Sequence, residues 1–193
     1  MIELAPTSPS WVAVALADLD ARLPRLLVDH AHCERKAAAM AIRHVERHAD
    51  WPRLAERLSR LAREELVHFE RVLAELRGRG VPYRAQPSSG YGAALFAAAG
   101  SRRVVDEMLV CALIEARSHE RFERLSAALA GTPLGGLYAD LCDAEARHGD
   151  LYLELAAEAA EGPIDARLAE LVAREAEIIA RPGLPIRMHS GGS

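Results

Sequence analysis

Two groups of carboxylate and imidazole side chains occur in this chain with nearly the same spacing. Glu34 is followed by Glu65-Leu66-Val67-His68, and Glu115 is followed by Glu145-Ala146-Arg147-His148. The Glu-x-x-His spacing places both side chains on one face of a helix. Carboxylate and imidazole ligands without a thiolate favour iron or manganese over calcium, magnesium or zinc. The sequence therefore predicts a two-metal site with the ligands Glu34, Glu65, His68, Glu115, Glu145 and His148.

Signals that end one helix and start another lie midway between the lone glutamate and the Glu-x-x-His group in both halves. The first midpoint is at Asp50, just before Trp51-Pro52, and the second is at Gly131-Thr132-Pro133. Asp50 or Thr132 suits an N-cap, proline suits the first helical turn, and Gly131 suits a helix end. Two antiparallel helix pairs would hold the ligands at one height, roughly 22 Å from each turn. Four glutamates and two histidines would then meet in one layer.

Each predicted ligand interrupts an apolar stripe that has helical period. Burying four carboxylates without partners would be prohibitively costly, and divalent metal ions would supply the missing charge. The alternative, in which the Glu-x-x-His pairs are salt bridges on helix surfaces, would leave charges on apolar stripes. The four stripes are Leu23, Leu27, His30, Glu34, Ala37, Ala41 and Val45; Leu54, Leu58, Leu61, Glu65, His68, Val72 and Leu76; Met108, Cys111, Glu115, Ser118, Phe122, Leu125 and Leu129; and Leu134, Tyr138, Leu141, Glu145, His148, Tyr152 and Leu155.

Other carboxylates and histidines compete for the same site. Glu64 is rotated by about 100° from the neighbouring glutamate and lies off the apolar seam. Glu120 and Glu123 share a predicted helix with a ligand but fit the midpoint geometry less well. His30 and His119 lie one turn from the two lone glutamates on the same faces, so either could bind metal or donate a hydrogen bond to a ligand.

The composition fits one domain. The chain has 193 residues, half of them hydrophobic, and can bury a substantial core without stabilising disulfides or a structural metal. The acidic start Met1-Ile2-Glu3-Leu4 does not resemble a secretory signal, and no apolar run is long enough to span a bilayer. Cys33, Cys111 and Cys142 lack the spacing of a disulfide framework or a zinc finger, and their odd number suits a reducing cytoplasm. We expect them to act as small buried hydrophobic residues rather than as residues that support the metal ligands. We predict a single cytoplasmic domain over residues 1–193 with no membrane partner.

Helical patterns cover most of the chain, and no strand pattern of any length is present. A doubled ligand set in a bundle with a long middle crossover is the ferritin-like di-iron or di-manganese layout. The predicted fold class is therefore all-α, a ferritin-like four-helix bundle with a long crossover and additional N- and C-terminal helices. The core bundle covers about 21–161, and the C-terminal helix and tail cover 163–193. The predicted segments are a helical lead (8–20), four long helices (21–48, 50–79, 101–130 and 132–161), a short crossover helix (93–99) and a fifth helix (163–180).

Four segments of the chain resemble the MiaE-type tRNA hydroxylases. These segments are 29–38, 64–69, 112–122 and the tail Arg187-Met188-His189-Ser190-Gly191. The resemblance runs from about residue 26 to the C-terminus. The helix-three segment and the tail are its most specific parts, because Glu-x-x-His is common to all ferritin-like proteins. All six predicted ligand positions agree with it.

The resemblance implies a substrate and a reaction. The family hydroxylates the isopentenyl group of 2-methylthio-N(6)-isopentenyladenosine, next to the anticodon in tRNA. It implies a centre of two iron ions, O2 as co-substrate, and two external electrons per turnover. The glutamates Glu34, Glu65, Glu115 and Glu145 would be the catalytic carboxylates. The sequence has no Gly-rich dinucleotide fingerprint and no iron–sulfur cysteine set, so we expect an external electron donor of the ferredoxin or reductase type.

Positive charge in this chain is almost entirely arginine. The formal net charge of −4 argues against a generally phosphate-seeking surface, although two bound divalent cations would bring the balance to about zero. Two interpretations of the arginines in the first half remain open: contacts to anticodon-arm phosphates, or a solvated face paired with acidic neighbours. Arg187 and His189 are better candidates, since a flexible tail could close over the site. The arginines in question are Arg35, Arg43, Arg47, Arg53, Arg57, Arg60, Arg63, Arg77, Arg79 and Arg84.

Three function classes therefore stay open from the sequence. The first is the RNA-modifying monooxygenase. The second is a ferritin-like ferroxidase or peroxidase, or a manganese catalase, built on the same ligand set. The third is a non-catalytic metal-binding or helical interaction protein.

Overall fold

A computed structural model describes residues 2–100, 103–181 and 186–190, and every regular element in these ranges is an α-helix. None of the helices in the described ranges combines the length and the apolar character that a membrane span needs. The helices are α1 (Pro9–Leu16), α2 (Arg22–Arg47), α3 (Pro52–Gly78), α4 (Tyr91–Ala99), α5 (Val104–Ala128), α6 (Pro133–Ala159) and α7 (Asp165–Ile179).

The chain divides into two compact units, each built around one pair of long helices. The α2–α3 unit comprises Ala15–Pro87, and the α5–α6 unit comprises Met1–Val14 and Ser88–Ser193. Both predicted helix pairs are therefore present. That the whole chain is a single domain stays a prediction.

In the α2–α3 unit, the apolar stripe predicted for the second long helix is buried along its whole length. Every one of its members, from Leu54 to Leu76, is buried in α3. The N-cap of α3 is Trp51, because Pro52 is already the first helical residue, so the assignment of Asp50 as N-cap is wrong. Proline at that position is compatible with the helix because its missing N–H would have no intrahelical partner.

The buried face of α2 differs in part from the predicted stripe. Ala37 and Val45 are only half-buried, whereas Ala38 and His44 are buried in their place. After Glu34 the buried seam advances by four positions rather than three. A helix with 3.6 residues per turn permits either step, so spacing alone does not choose between them.

In the α5–α6 unit, the turn between the two helices is the one that the sequence predicts. The Thr132 side chain caps α6 by accepting a hydrogen bond from the Gly135 amide at 3.1 Å, and Gly131 has a φ of +80°. A Cβ atom at Gly135 would lie 2.2 Å from the Leu129 carbonyl oxygen, so the tight turn requires glycine there. Leu129 itself lies beyond the end of α5 and is half-buried, so the predicted stripe ends one member earlier.

The remaining elements differ from the prediction at their ends. The lead helix α1 ends at Leu16 rather than at Asp20, and α7 begins at Asp165 rather than directly after Gly162. The predicted start of the third long helix at Ser101 lies outside the described residues, and α5 begins at Val104. The crossover helix α4 begins at Tyr91, two residues earlier than expected.

A buried ion pair joins α5 to α7. Both nitrogen–oxygen contacts between the Arg117 guanidinium and the Glu175 carboxylate measure 2.8 Å, and both side chains are fully buried. Burial lowers the pKa of Arg117, but the bonds to Glu175 outweigh it and keep the guanidinium charged. The Tyr91 hydroxyl also donates to Glu175, at 2.8 Å. Removing one member of such a pair leaves a buried charge at a cost of roughly 3–5 kcal/mol, so the pair holds α7 in place.

The described part of the tail, residues 186–190, is packed into the α5–α6 unit. Met188, His189 and Ser190 are buried, and the Arg121 guanidinium donates to the Ser190 carbonyl oxygen at 3.0 Å. The His189 ring stacks on Tyr91 with 5.0 Å between centroids. The expectation of a flexible end is therefore wrong for these residues. Gly191, the last residue of the resembling tail, lies outside the described residues, as do residues 182–185.

Glu120 links the N-terminal segment to α5. Its carboxylate accepts hydrogen bonds from the Thr7 amide at 2.9 Å and from Arg117 at 3.0 Å, and it contacts Arg124. Burial raises the pKa of Glu120, but the bonds from Thr7 and the two arginines outweigh it, so the pKa lies below the ordinary 4.5.

We expect the Glu120→Gln variant to lose about 1 kcal/mol of unfolding free energy at pH 7. Because the pKa is lowered in the folded state, the carboxylate stabilises the fold above pH 4.5, and this contribution is lost as the pH falls further. Urea unfolding of wild type and variant between pH 7 and pH 3 measures this difference. A difference that stays constant over the whole range would contradict the role of the ionised carboxylate.

Candidate metal centre

Three of the predicted ligands meet in the α2–α3 unit. One ligand atom from each of Glu34, Glu65 and His68 lies within 4.8 Å of the others, and all three residues are buried. The Nδ1 atom of His68 is 3.7 Å from Glu34 Oε2 and 3.6 Å from Glu65 Oε2. These distances leave room for a cation between the side chains. We call this set the first triad.

The first triad is supported by a fourth buried residue, His30, one turn before Glu34. Its Nε2 atom donates to Glu34 Oε1 at 2.5 Å. Of the two roles that the sequence left open for His30, metal ligand or hydrogen-bond donor to a ligand, the structure shows the second. Burial raises the pKa of Glu34. The positive charge of His30 and the hydrogen bonds that His30 and His68 make to Glu34 outweigh burial, so the pKa of Glu34 lies well below the ordinary range. Burial lowers the pKa of His68, and the bonds to Glu34 and Glu65 outweigh it and raise the pKa to about 9.

The other three predicted ligands meet in the α5–α6 unit. One ligand atom from each of Glu115, Glu145 and His148 lies within 4.8 Å of the others, and all three residues are buried. Gly149 faces Glu115 here: a Cβ atom at position 149 would be 3.7 Å from the Glu115 Cβ. The absence of a side chain on Gly149 therefore lets α6 approach α5 closely at the level of the ligands. We call this set the second triad.

Each triad offers the same donors, two carboxylates and one imidazole. Two buried carboxylates beside one imidazole are compatible with a divalent cation, and the absence of thiolate from either triad fits iron or manganese. The structure thus brings the six predicted residues together as two triads, one in each unit. Both triads are compatible with metal binding.

The competing residues have other partners or lie outside the triads. Glu64 is half-buried, whereas its neighbour Glu65 has no exposed surface. Glu120 is held by Thr7 and arginines, and Glu123 is exposed. The Nδ1 atom of His119 donates to the Cys142 carbonyl oxygen at 2.9 Å, so His119 links α5 to α6 one turn before Glu145.

The three cysteines form no disulfide, and Cys111 is the only fully buried one of the three. Burial raises the pKa of the Cys142 thiol to about 11, so it stays protonated at neutral pH. This agrees with cysteines that act as small packed side chains, and Cys142 in addition lies 3.2 Å from His119 Nδ1.

Sequence reasoning missed the buried Arg117, two residues after Glu115, and its partner Glu175. A signal was present, because the run Met108–Ala116 is apolar on nearly every face of the helix. A helix that is hydrophobic all round is buried, so an arginine that follows directly must be paired. The sequence contains no comparable signal for the partner, which lies 58 positions further on.

The helix pairs and the two triads define an all-α protein of the ferritin-like class with carboxylate–histidine clusters that are compatible with metal. The family model described as tRNA-(MS[2]IO[6]A)-hydroxylase (MiaE) matches residues 2–190. The chain belongs to the MiaE family. The family resemblance found in the sequence is thereby confirmed.

Two curated relatives carry the name tRNA 2-(methylsulfanyl)-N(6)-isopentenyladenosine(37) hydroxylase. The protein from Pseudomonas putida is 41% identical over 190 residues, which cover 96% of this chain and 90% of that protein. The protein from Salmonella typhimurium is 30% identical over 236 residues, covering 96% of this chain and 86% of that protein.

A solved structure is also similar over nearly the whole chain. It is described as protein 43 with aldehyde deformylating oxygenase activity from Synechococcus, and it is 43% identical with a TM-score of 0.86. The match covers 99% of this chain and 98% of that one. Together with the seven helices of the described residues, this similarity confirms the predicted fold class.

We expect the Glu65→Ala variant to lose most of its bound metal, because the first triad then keeps one carboxylate and one imidazole. Glu64→Ala is the matched control: it removes the same side chain one position earlier, off the buried seam, and should retain its metal. Iron and manganese per chain after anaerobic reconstitution measure both. Equal metal content in the two variants would show that the first triad is not a ligand set.

Proposed function

We propose that this protein is a non-haem di-iron monooxygenase that hydroxylates the isopentenyl group of 2-methylthio-N(6)-isopentenyladenosine in tRNA. It would use O2 as co-substrate and electrons from an external donor, and it would act in the cytoplasm. The observation that carries the proposal is the pair of buried triads in a chain of the MiaE family. The names of the two curated relatives support the substrate.

The residues that would hold two iron ions in this proposal are Glu34, Glu65, His68, Glu115, Glu145 and His148. When bound, the di-iron centre would supply the activation of O2 for insertion of one oxygen atom into a C–H bond. Four carboxylates and two imidazoles, with no thiolate, would match the ligand preferences of iron.

The residues of the chain have three tasks at this centre. His30 orients the Glu34 carboxylate by donating from Nε2, which keeps that ligand ionised and fixed. Burial of all six ligands excludes water, which protects a reactive oxidant from side reactions. The apolar neighbours Phe122 and Leu125, buried two and three turns after Glu115, provide surroundings in which a prenyl group is stable.

A narrow cleft in the α5–α6 unit supports a route for a small molecule to the second triad. It is lined by the small residues Ala112, Ala116, Ala146 and Gly149, and it reaches Glu145. An apolar gap of this kind admits O2 more readily than it admits ions.

Electrons must come from outside the chain in this proposal. Hydroxylation by O2 places one oxygen atom in the product and reduces the other to water, which consumes two electrons and two protons. The sequence has no dinucleotide fingerprint and no iron–sulfur cysteine set. A ferredoxin or reductase therefore completes the reaction.

The proposal is tested with tRNA that carries the prenylated adenosine. The reduced, iron-loaded protein is incubated with this tRNA and ¹⁸O2, and the nucleosides are analysed by mass spectrometry. We expect one labelled oxygen atom in the isopentenyl group. If this product is absent, rapid disproportionation of peroxide would instead favour a manganese catalase, and oxidation of added ferrous iron or of an external reductant by peroxide would favour a ferroxidase or a peroxidase.

A second candidate, aldehyde deformylation, is favoured by the similarity to the Synechococcus oxygenase at 43% identity. The two candidates differ in substrate, and one fold can serve several reactions. Competing the prenylated tRNA against an aldehyde in one reaction separates them. Release of formate with no change in the tRNA would identify this second activity.

The Glu115→Ala variant should lose most of the hydroxylation while it keeps the fold. The alanine removes one carboxylate of the second triad, and apolar packing tolerates the loss of a buried anion. Product formation and far-ultraviolet circular dichroism measure the two properties. Wild-type turnover in this variant would overturn the assignment of Glu115 as a ligand.

A further inference from the structure

We propose that the surface of the α2–α3 unit around Tyr83 binds the single-stranded anticodon loop of tRNA. Tyr83 would stack on a base of the loop, and exposed arginines around it would contact the phosphates. The inference rests on the proposed function, since it concerns how the substrate RNA is held.

Three aromatic rings form a cluster on this surface: His32 of α2, Phe69 of α3 and Tyr83 of the segment after α3. The ring centroids of His32 and Tyr83 are 4.7 Å apart, and those of Phe69 and Tyr83 are 5.5 Å apart in an edge-to-face arrangement. Tyr83 is 37% exposed, although aromatic residues usually bury more of their surface. The aromatic cluster therefore presents a π surface to solvent.

Hydrogen bonds hold this surface rigid. The Nε2 atom of His32 donates to the Arg84 carbonyl oxygen at 2.8 Å, because a carbonyl can only accept. In neutral His32 the Nδ1 atom is then an acceptor, and the Tyr83 hydroxyl donates to it at 2.8 Å. A tyrosine ring that is fixed before binding loses little conformational entropy when a base stacks on it.

The charge of the chain is distributed in a way that favours RNA at this unit. Residues 15–87 contain 14 lysine and arginine residues and 11 aspartate and glutamate residues, a formal charge of +3. The rest of the chain contains 10 lysine and arginine residues and 17 aspartate and glutamate residues, a formal charge of −7. The overall charge of −4 therefore hides a basic unit, and phosphates are attracted to it.

Exposed cations lie close to the aromatic cluster in sequence and on its helices. Arg84 follows Tyr83 directly, and its carbonyl bond to His32 ties its backbone to the cluster. Arg35 and Lys36 follow His32 by one helical turn, and all three cations are exposed. The alternative interpretation, a face of arginines paired with acidic neighbours, applies to Arg79, which lies 3.5 Å from Glu75.

The position of the aromatic cluster relative to the first triad fits a role in holding the substrate. His32 precedes Glu34 by two residues, and Phe69 follows His68 directly. Between the two ligands of α3, Leu66 and Val67 are 45% and 54% exposed. The helices that carry the first triad therefore also carry rings of the aromatic cluster, one or two residues from the triad in sequence. Aromatic rings, apolar side chains and arginines together are the features of sites that bind single-stranded RNA.

The test measures binding of a fluorescent anticodon stem-loop RNA that carries the prenylated adenosine to the full-length, iron-loaded protein. Stacking on one aromatic residue accounts for about a tenfold change in Kd, so Tyr83→Ala should weaken binding about tenfold. Tyr83→Phe keeps the ring and its contact with Phe69 and removes only the bond to His32, so it should weaken binding much less than Tyr83→Ala does. Weakening in Tyr83→Phe as large as in Tyr83→Ala would overturn stacking as the role of Tyr83.

The phosphate contacts are tested by the salt dependence of Kd. The Arg35→Gln/Arg84→Gln variant should reduce the slope of log Kd against log salt concentration by roughly 0.7 for each phosphate that it no longer neutralises. Arg174→Gln is the control, because Arg174 is 53% exposed and lies on α7 of the acidic unit. An equal change of slope per removed arginine in this control would overturn the proposed surface.

Failure of this inference is distinguishable from failure of the proposed function. If wild type adds oxygen to the prenylated tRNA while Tyr83→Ala binds the stem-loop with unchanged Kd, the docking surface is wrong and the enzymatic assignment stands. If wild type binds neither stem-loop nor tRNA, both are overturned.

Discussion

The structure depends on the burial of carboxylates within apolar helix seams. Six glutamate and histidine side chains interrupt the hydrophobic faces of α2, α3, α5 and α6, and each is nearly inaccessible to water. A carboxylate in such a place is stable only with partners that offset its lost hydration. In the α2–α3 unit His30 and His68 provide part of this compensation, and a divalent cation at each triad would provide the rest. The cost of burying carboxylates thus explains why each triad gathers an imidazole beside its two carboxylates.

A second set of buried charges fixes the elements around the α5–α6 pair. Arg117 of α5 pairs with Glu175 of α7, and Tyr91 of α4 donates a hydrogen bond to the same carboxylate. Arg121 of α5 binds the tail by donating to the Ser190 carbonyl oxygen. Because Arg117 lies two residues after Glu115, the same stretch of α5 carries a metal-binding candidate on one side and a structural ion pair on another. A rigid α5 restricts the position of Glu115, and restricted ligands define a metal geometry more sharply than mobile ones.

Similarity at the level of the fold does not by itself select a substrate. Relatives at 41% and 30% identity are named as tRNA hydroxylases, whereas a solved structure at 43% identity is described by an aldehyde deformylating activity. One fold can therefore be associated with different named activities. The surface that receives the substrate is one place where such proteins can differ. The contrast between the basic α2–α3 unit and the acidic remainder is a feature of that kind.

The sequence alone determined the features that depend on local spacing. The seam of α3 from Leu54 to Leu76, the cap at Thr132 and the two Glu-x-x-His groups follow from helical period and turn chemistry, which act over a few residues. Local rules did not decide between neighbouring positions: Ala38 rather than Ala37 is the buried residue of α2, and Trp51 rather than Asp50 is the N-cap of α3. Only the tertiary structure decided which distant groups meet. Arg117 contacts Glu175, and Tyr91 contacts His189, because α4, α7 and the tail pack against α5. Helical periodicity does not encode a contact between residues so far apart in the chain.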